Sequence, residues 1–180
     1  MRRSFALGFA ASLSLSLLAA LASRADEAPS EPPWRVDAPI GPTRTLAFET
    51  DEGTWLHLDV HPDGRRIVFS LLGDLYLLPI EGGDAQRITS GPAYDVQPRF
   101  SPDGRSIAFA SDRSGIENLW VCGLDGANAR ALTREKELTV SAPAWSPDGE
   151  WVVGRKRITD VSSLATVELW MWHVKGGAGV

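Results

Sequence analysis

The stretch RFSPDGRSIAFASDRSGIENLW, residues 99–120, decides the fold. Its turn, Ser101-Pro102-Asp103-Gly104, has two echoes, His61-Pro62-Asp63-Gly64 and Ser146-Pro147-Asp148-Gly149. Proline presets φ for the second position of a type I turn, and aspartate suits the third. Glycine then accepts the left-handed conformation that lets a hairpin continue through a bulge. Pro62, Pro102 and Pro147 stand 40 and 45 residues apart. Repeats of that period are the signature of four-stranded propeller blades.

The segments around each turn agree with that period. A short run precedes it: LHLDVH (56–61), QPRFS (97–101) and APAWS (142–146). A second run follows: RIVFSL (66–71), SIAFAS (106–111) and WVVGRK (151–156). A third is the most apolar: LYLLPI (75–80), LWVCGL (119–124) and LWMWHV (169–174). A fourth closes two units, AQRITS (85–90) and ARALTR (129–134). The runs are short, rich in β-branched and aromatic residues, and bounded by Gly, Pro and Asp, which predicts strands. Tyr76, Trp120 and Trp170 share one place in the third strand and are expected to pack between blades. The loop between second and third strands grows from Gly73-Asp74, through DRSGIEN (112–118), to RITDVSSLATVE (157–168). Growing loops on one rim are where a propeller makes its contacts.

RTLAFET (44–50) aligns with the fourth strands, Phe48 standing 40 residues before Ile88. The chain is therefore expected to open with a lone outer strand, in the way a propeller prepares to close its ring. The expectation is an all-β partial propeller of three blades over 44–180, where complete propellers have four to eight.

Ahead of the repeats, Arg2 and Arg3 precede an apolar run from Phe5 to Ala22, followed by small-residue cleavage patterns at Ala22 and Ala25. This is the layout of a signal peptide over 1–25, with a faint twin-arginine character. It predicts a periplasmic or secreted protein with no stable membrane span after cleavage. Residues 26–43 hold five prolines and no periodicity, and read as an extended arm. Loss of Arg2, Arg3 and Arg24 takes the formal charge from −5 to −8. An acidic chain without basic clusters argues against nucleic acid as a partner. Cys122, the sole cysteine, lies in an apolar run and reads as a buried thiol.

The motif P-x-F-S-P-D-G-x-x-I-A-F-x-S-D-R-x-G over Pro98 to Gly115 continues with Asn118-Leu119-Trp120 and Arg130 to Thr133. It resembles the repeats of TolB-like (WD40-like) β-propellers of the bacterial periplasm. FETDEGTWLHLDVHPDG, FSLLGDLYLLPIEGGDAQRITSG and GRKRITDVSSLATVELWMWHVKGGAGV look like the N-terminal propeller of exported amidohydrolase-like proteins. That resemblance implies a covalently following metal-dependent hydrolase domain. No position here matches its metal-binding histidines, so the divalent metal it implies belongs downstream and no cofactor is expected for this chain.

The residues themselves offer little chemistry. His57, Asp59 and His61 alternate on one strand face and are acceptable zinc ligands. The polar face of an inner strand is the stronger reading, because the next units place Arg99 and Ala144 where Asp59 stands. Asp112 and Arg113 read as a local tie of their loop, and Arg155, Lys156 and Arg157 as a solvated rim. No catalytic residue is expected. The sequence leaves three roles open: a non-catalytic scaffold beside a hydrolase domain, an interaction propeller that binds envelope proteins, and a head-to-tail homodimer of two three-bladed halves.

Overall fold

The computed structural model describes Val36, residues 41–158 and residues 166–180, all within one compact unit, Trp34–Val180. The expected signal peptide, residues 1–25, and all but Val36 and residues 41–43 of the expected proline-rich arm lie outside the described residues.

Eleven strands form three antiparallel sheets among the described residues. The first is β1 (Leu58–Val60), β2 (Arg66–Leu71), β3 (Asp74–Pro79) and β4 (Gln86–Arg87). The second is β5 (Asp95–Phe100), β6 (Ser106–Ser111), β7 (Asn118–Gly123) and β8 (Arg130–Ala131). The third is β9 (Val140–Trp145), β10 (Trp151–Arg157) and β11 (Val167–His173). In each sheet every strand pairs with its neighbour in sequence. This is the expected propeller architecture: three blades, not closed into a ring.

The repeated turn builds the first hairpin of each blade. Gly64, Gly104 and Gly149 adopt φ of 72°, 69° and 71°. Their amides donate to the carbonyls of His61, Ser101 and Ser146 at 2.8, 2.8 and 2.9 Å. The aspartate at the third position accepts from the amide two residues on, in Arg65, Arg105 and Glu150. Ser101 and Ser146 Oγ each accept the amide opening the next strand, Ser106 at 3.0 Å and Trp151 at 2.9 Å. The His61 ring serves the first turn instead, accepting from the Asp63 amide at Nδ1.

The inner strands of the second and third blades share a second device. Gln97 and Ala142 hold φ of 56° and 52°, and each precedes a proline in a strand with a register shift. A proline inside a sheet lacks a ladder donor, so a bulge beside it is the expected accommodation. The Ala142 amide donates to Gln97 Oε1 at 2.6 Å, tying one bulge to the next.

Apolar side chains fill the two spaces between sheets. Val68, Leu75 and Ile88 of the first blade meet Phe100, Ile107, Phe109 and Cys122 of the second. Ala108, Leu119, Val121 and Leu132 of the second meet Val140, Val152 and Trp172 of the third. Each fully buried Leu or Ile contributes on the order of 2 kcal/mol. Trp120 and Trp170 pack against these two layers as expected. Tyr76, their counterpart, stacks on Phe69 at 5.5 Å on the side of the first blade that turns away from the second.

One expectation fails. Residues 44–50 form no strand, and Leu46 and Phe48 are 67% and 65% exposed. A fourth strand forms only on the edge of a third strand. In this chain the edge of β11 is met by Val180, whose N–H and C=O both bond to Met171, at 3.0 and 2.9 Å.

Candidate functional site

The rim that carries the loops between second and third strands holds a cluster of bonded polar side chains. Arg113, in the loop after β6, reaches back to Asp95 at the start of β5, with Nη2 2.5 Å from Oδ2. Asp95 is 1% exposed. The guanidinium lies over the rings of Phe109 and Trp120, at 5.4 and 5.1 Å from their centroids. Arg113 Nε donates to Ser111 Oγ at 3.0 Å. Sequence reasoning placed Arg113 in a local tie beside Asp112. The partner is instead a buried carboxylate on another strand, while Asp112 accepts from the Tyr94 amide at 2.8 Å.

Asp74 stands next to this pair, because the Asp95 amide donates to the Gly73 carbonyl at 2.8 Å. Burial pushes its carboxyl above the usual range, Arg87 opposes that, and the neighbouring Asp95 charge adds to it. Burial likewise raises Glu117, further along the loop.

Asn118 organises the other side of the loop. It is fully buried, and its amide nitrogen donates to Ser114 Oγ and to the carbonyls of Ile116 and Glu135. Its Oδ1 accepts from Thr133 Oγ1 at 2.7 Å and the Glu135 amide at 2.8 Å. Thr133 in turn accepts the Leu119 amide at 2.9 Å, as Thr89 does for Leu75. This explains the Arg-x-Leu-Thr motif: its threonine fastens the outer strand to the third. Lys156 of the third blade bonds Glu135 of the second at 2.7 Å and covers the Trp170 ring at 4.3 Å.

His57, Asp59 and His61 take separate roles. Asp59 Oδ2 accepts the Phe100 amide of the next blade at 2.8 Å. His61 sits between the Gly104 carbonyl, 2.9 Å from Nε2, and the Asp63 carboxylate, 2.7 Å from Nδ1. The His57 amide faces Ser70 Oγ at 3.3 Å. No three His, Cys, Asp or Glu gather as a metal site among the described residues. The turn residues Pro62, Asp63 and Gly64, Pro102, Asp103 and Gly104, and Pro147, Asp148 and Gly149 lie in the hairpins between first and second strands. Burial pushes the Cys122 thiol up to about 12, the behaviour of a packed, unreactive side chain.

A groove of about 960 Å³ runs between residues 130–135 of the second blade and Trp170, Trp172 and residues 174–179 of the third. The polar groups of both regions join one strand to another. Arg130, on the groove wall, donates to the Val174 carbonyl at 2.6 Å. The arrangement positions blades and loops.

The comparisons with known proteins agree with this architecture. The chain is 33% identical over 89 residues to Tricorn protease homolog 1 of Streptomyces coelicolor, across 49% of this chain and 8% of that protein. It is 48% identical over 59 residues to the Tol-Pal system protein TolB of Bordetella pertussis, across 32% of this chain and 14% of that protein. The solved structure of a putative TolB from Agrobacterium tumefaciens superposes with a TM-score of 0.64 at 26% identity, over 72% of this chain and 49% of that one. The chain thus spans a small part of these curated relatives and about half of the solved TolB. Residues 56–179 match the Tricorn protease N-terminal beta propeller domain, and the chain belongs to that family of propellers.

Proposed function

We propose that the chain is a non-catalytic scaffold and binding module of an exported, periplasmic protein. Its blades stand ahead of a hydrolase domain and control access to it. The observation that carries this reading is how the polar residues are used. Arg113 with Asp95, Asn118 with Thr133, and Asp59 with the Phe100 amide each fasten one strand or blade to another. The leader-like residues 1–25 and the likeness to TolB support the location. The amidohydrolase-like stretches support a metal-dependent hydrolase as the following domain, with the metal held there.

The test is hydrolysis by the protein isolated from its own cell envelope, against hydrolysis by residues 26–180. Chelator-sensitive activity in the first and none in the second is the expected result. Activity in residues 26–180 contradicts the scaffold role.

A second reading is an interaction propeller like TolB. One observation favours it: Trp55, Leu72 and Tyr94 of the first blade region are 89%, 77% and 55% exposed. Mild crosslinking in the envelope that joins a second envelope protein to this rim supports it. Capture of a second copy of the chain instead supports the homodimer.

A further inference from the structure

The two junctions between blades are built from the same repeat positions, and only the second is open. At the first, the turn after β7 presses on the outer strand of the first blade: a Cβ on Gly126 would lie 1.9 Å from the Ile88 carbonyl oxygen. Gly176 holds the same place in the turn after β11, and no atom of the described residues lies within 4 Å of its Cβ position. The groove of about 960 Å³ lies at this gap, with Gly176 on its wall.

The charge of the second junction is not a property of the repeat. Arg130, Arg134, Lys156 and Lys175 line the groove, with Glu135 the one carboxylate among the described lining residues. The corresponding positions at the first junction are Gln86, Ser90, Ser111 and Asp125, with Gly91 in the place of Glu135. The first junction closes without any of the four cations, so packing one blade on the next does not require them. Two of them are tied: Lys156 bonds Glu135, and Arg130 donates to the Val174 carbonyl. Arg134 and Lys175 are exposed, and their side chains make no hydrogen bond or ion pair among the described residues. The backbone amides of 177–179, on the opposite wall from Arg134, have no acceptor there either. Like charge gathered in an acidic chain, beside free amides, is complementary to an anion.

The walls select the kind of anion. Arg130 and Arg134 are spread along one wall, up to about 13 Å apart if that run is extended, which suits a ligand with several separated charges better than a single phosphate group. The Trp170 ring is covered by Lys156 at 4.3 Å, and Trp172 is buried, so neither a sugar nor a base finds an open aromatic face. We propose that the groove between the second and third blades binds an extended acidic peptide segment, its carboxylates meeting Arg134 and Lys175. This inference does not depend on a hydrolase domain following the blades.

The test is fluorescence anisotropy of a labelled oligoglutamate peptide titrated with the protein purified from its own cell envelope. Saturable binding that weakens as salt rises is expected. Arg134→Glu with Lys175→Glu should weaken it at least about 10-fold. The urea midpoint should stay unchanged, since neither side chain is bonded. Arg65→Glu with Arg105→Glu makes the same change of net charge at two hairpin turns and should leave the affinity within about twofold. Failure to bind, or equal weakening by the two pairs, overturns the site. Displacement of the peptide by an equal concentration of inorganic phosphate overturns the acidic peptide as its occupant.

Discussion

Truncating one leucine at two equivalent places should give two different answers. Leu119 and Leu169 occupy the same position in the third strands of neighbouring blades. Leu119 is 0% exposed and lies in the layer with Val121, Leu132 and Val140. Leu119→Ala removes a buried side chain and leaves a space that its neighbours only partly refill, a loss of about 3 kcal/mol. Leu169 is 76% exposed, so Leu169→Ala in this chain forfeits only about 0.5 kcal/mol of burial. With a urea slope of about 2 kcal/mol/M, the midpoints fall by about 1.5 M and about 0.25 M. Equilibrium urea unfolding followed by tryptophan emission reads both, since the chain holds seven tryptophans. Equal shifts would refute the assignment of Leu169 to an uncovered blade face. In a protein that carries the next blade, Leu169→Ala should become as costly as Leu119→Ala.

Arg113→Ala leaves the Asp95 carboxylate buried without its cation, and should cost about 3 to 5 kcal/mol by the same unfolding assay. Asp59→Ala removes the acceptor of the Phe100 amide between the first two blades, and should cost about 1 to 3 kcal/mol. Asp103 is held below the usual carboxylate range by Ser101 and the Arg105 amide. Its contribution is present above the ordinary aspartate value and is lost as pH falls through the lowered one. Asp103→Asn should therefore flatten the fall in stability below about pH 4, measured as urea midpoint against pH. Cys122, with its thiol near 12, should resist iodoacetamide at pH 8 in the folded chain and react fully in urea. Modification of the folded chain at the rate of a free thiol would show that the layer between the first two blades is not closed.

The hairpins were legible because each is local: a proline, an aspartate and a glycine fix the turn from within four residues. The blade period followed from repeating that turn, and the packing of the partly buried Trp120 and Trp170 against the layers followed from the period. Residues 44–50 show the limit of such reasoning. Their pattern is that of an outer strand, but a strand needs a partner edge, and the pattern does not say whose edge it is. Arg113 shows another limit. Its partner Asp95 lies 18 residues earlier on another strand. Trp55 and Val140 stand at the corresponding places in the other blades, so the repeat gave no signal for the pair. Alternation placed His57, Asp59 and His61 on one face. It did not show that the Phe100 amide and the Gly104 carbonyl of the next blade would engage Asp59 and His61.

On the proposed reading these three blades belong to a longer protein, and Leu169 and Met171 stand on a face that its further residues cover. Hydroxyl-radical footprinting of the protein from its own cell envelope, beside residues 26–180 alone, tests it directly. The account predicts that Leu169 and Met171 are oxidised in the isolated blades and protected in the source protein. Equal oxidation of both residues in the two samples would contradict it.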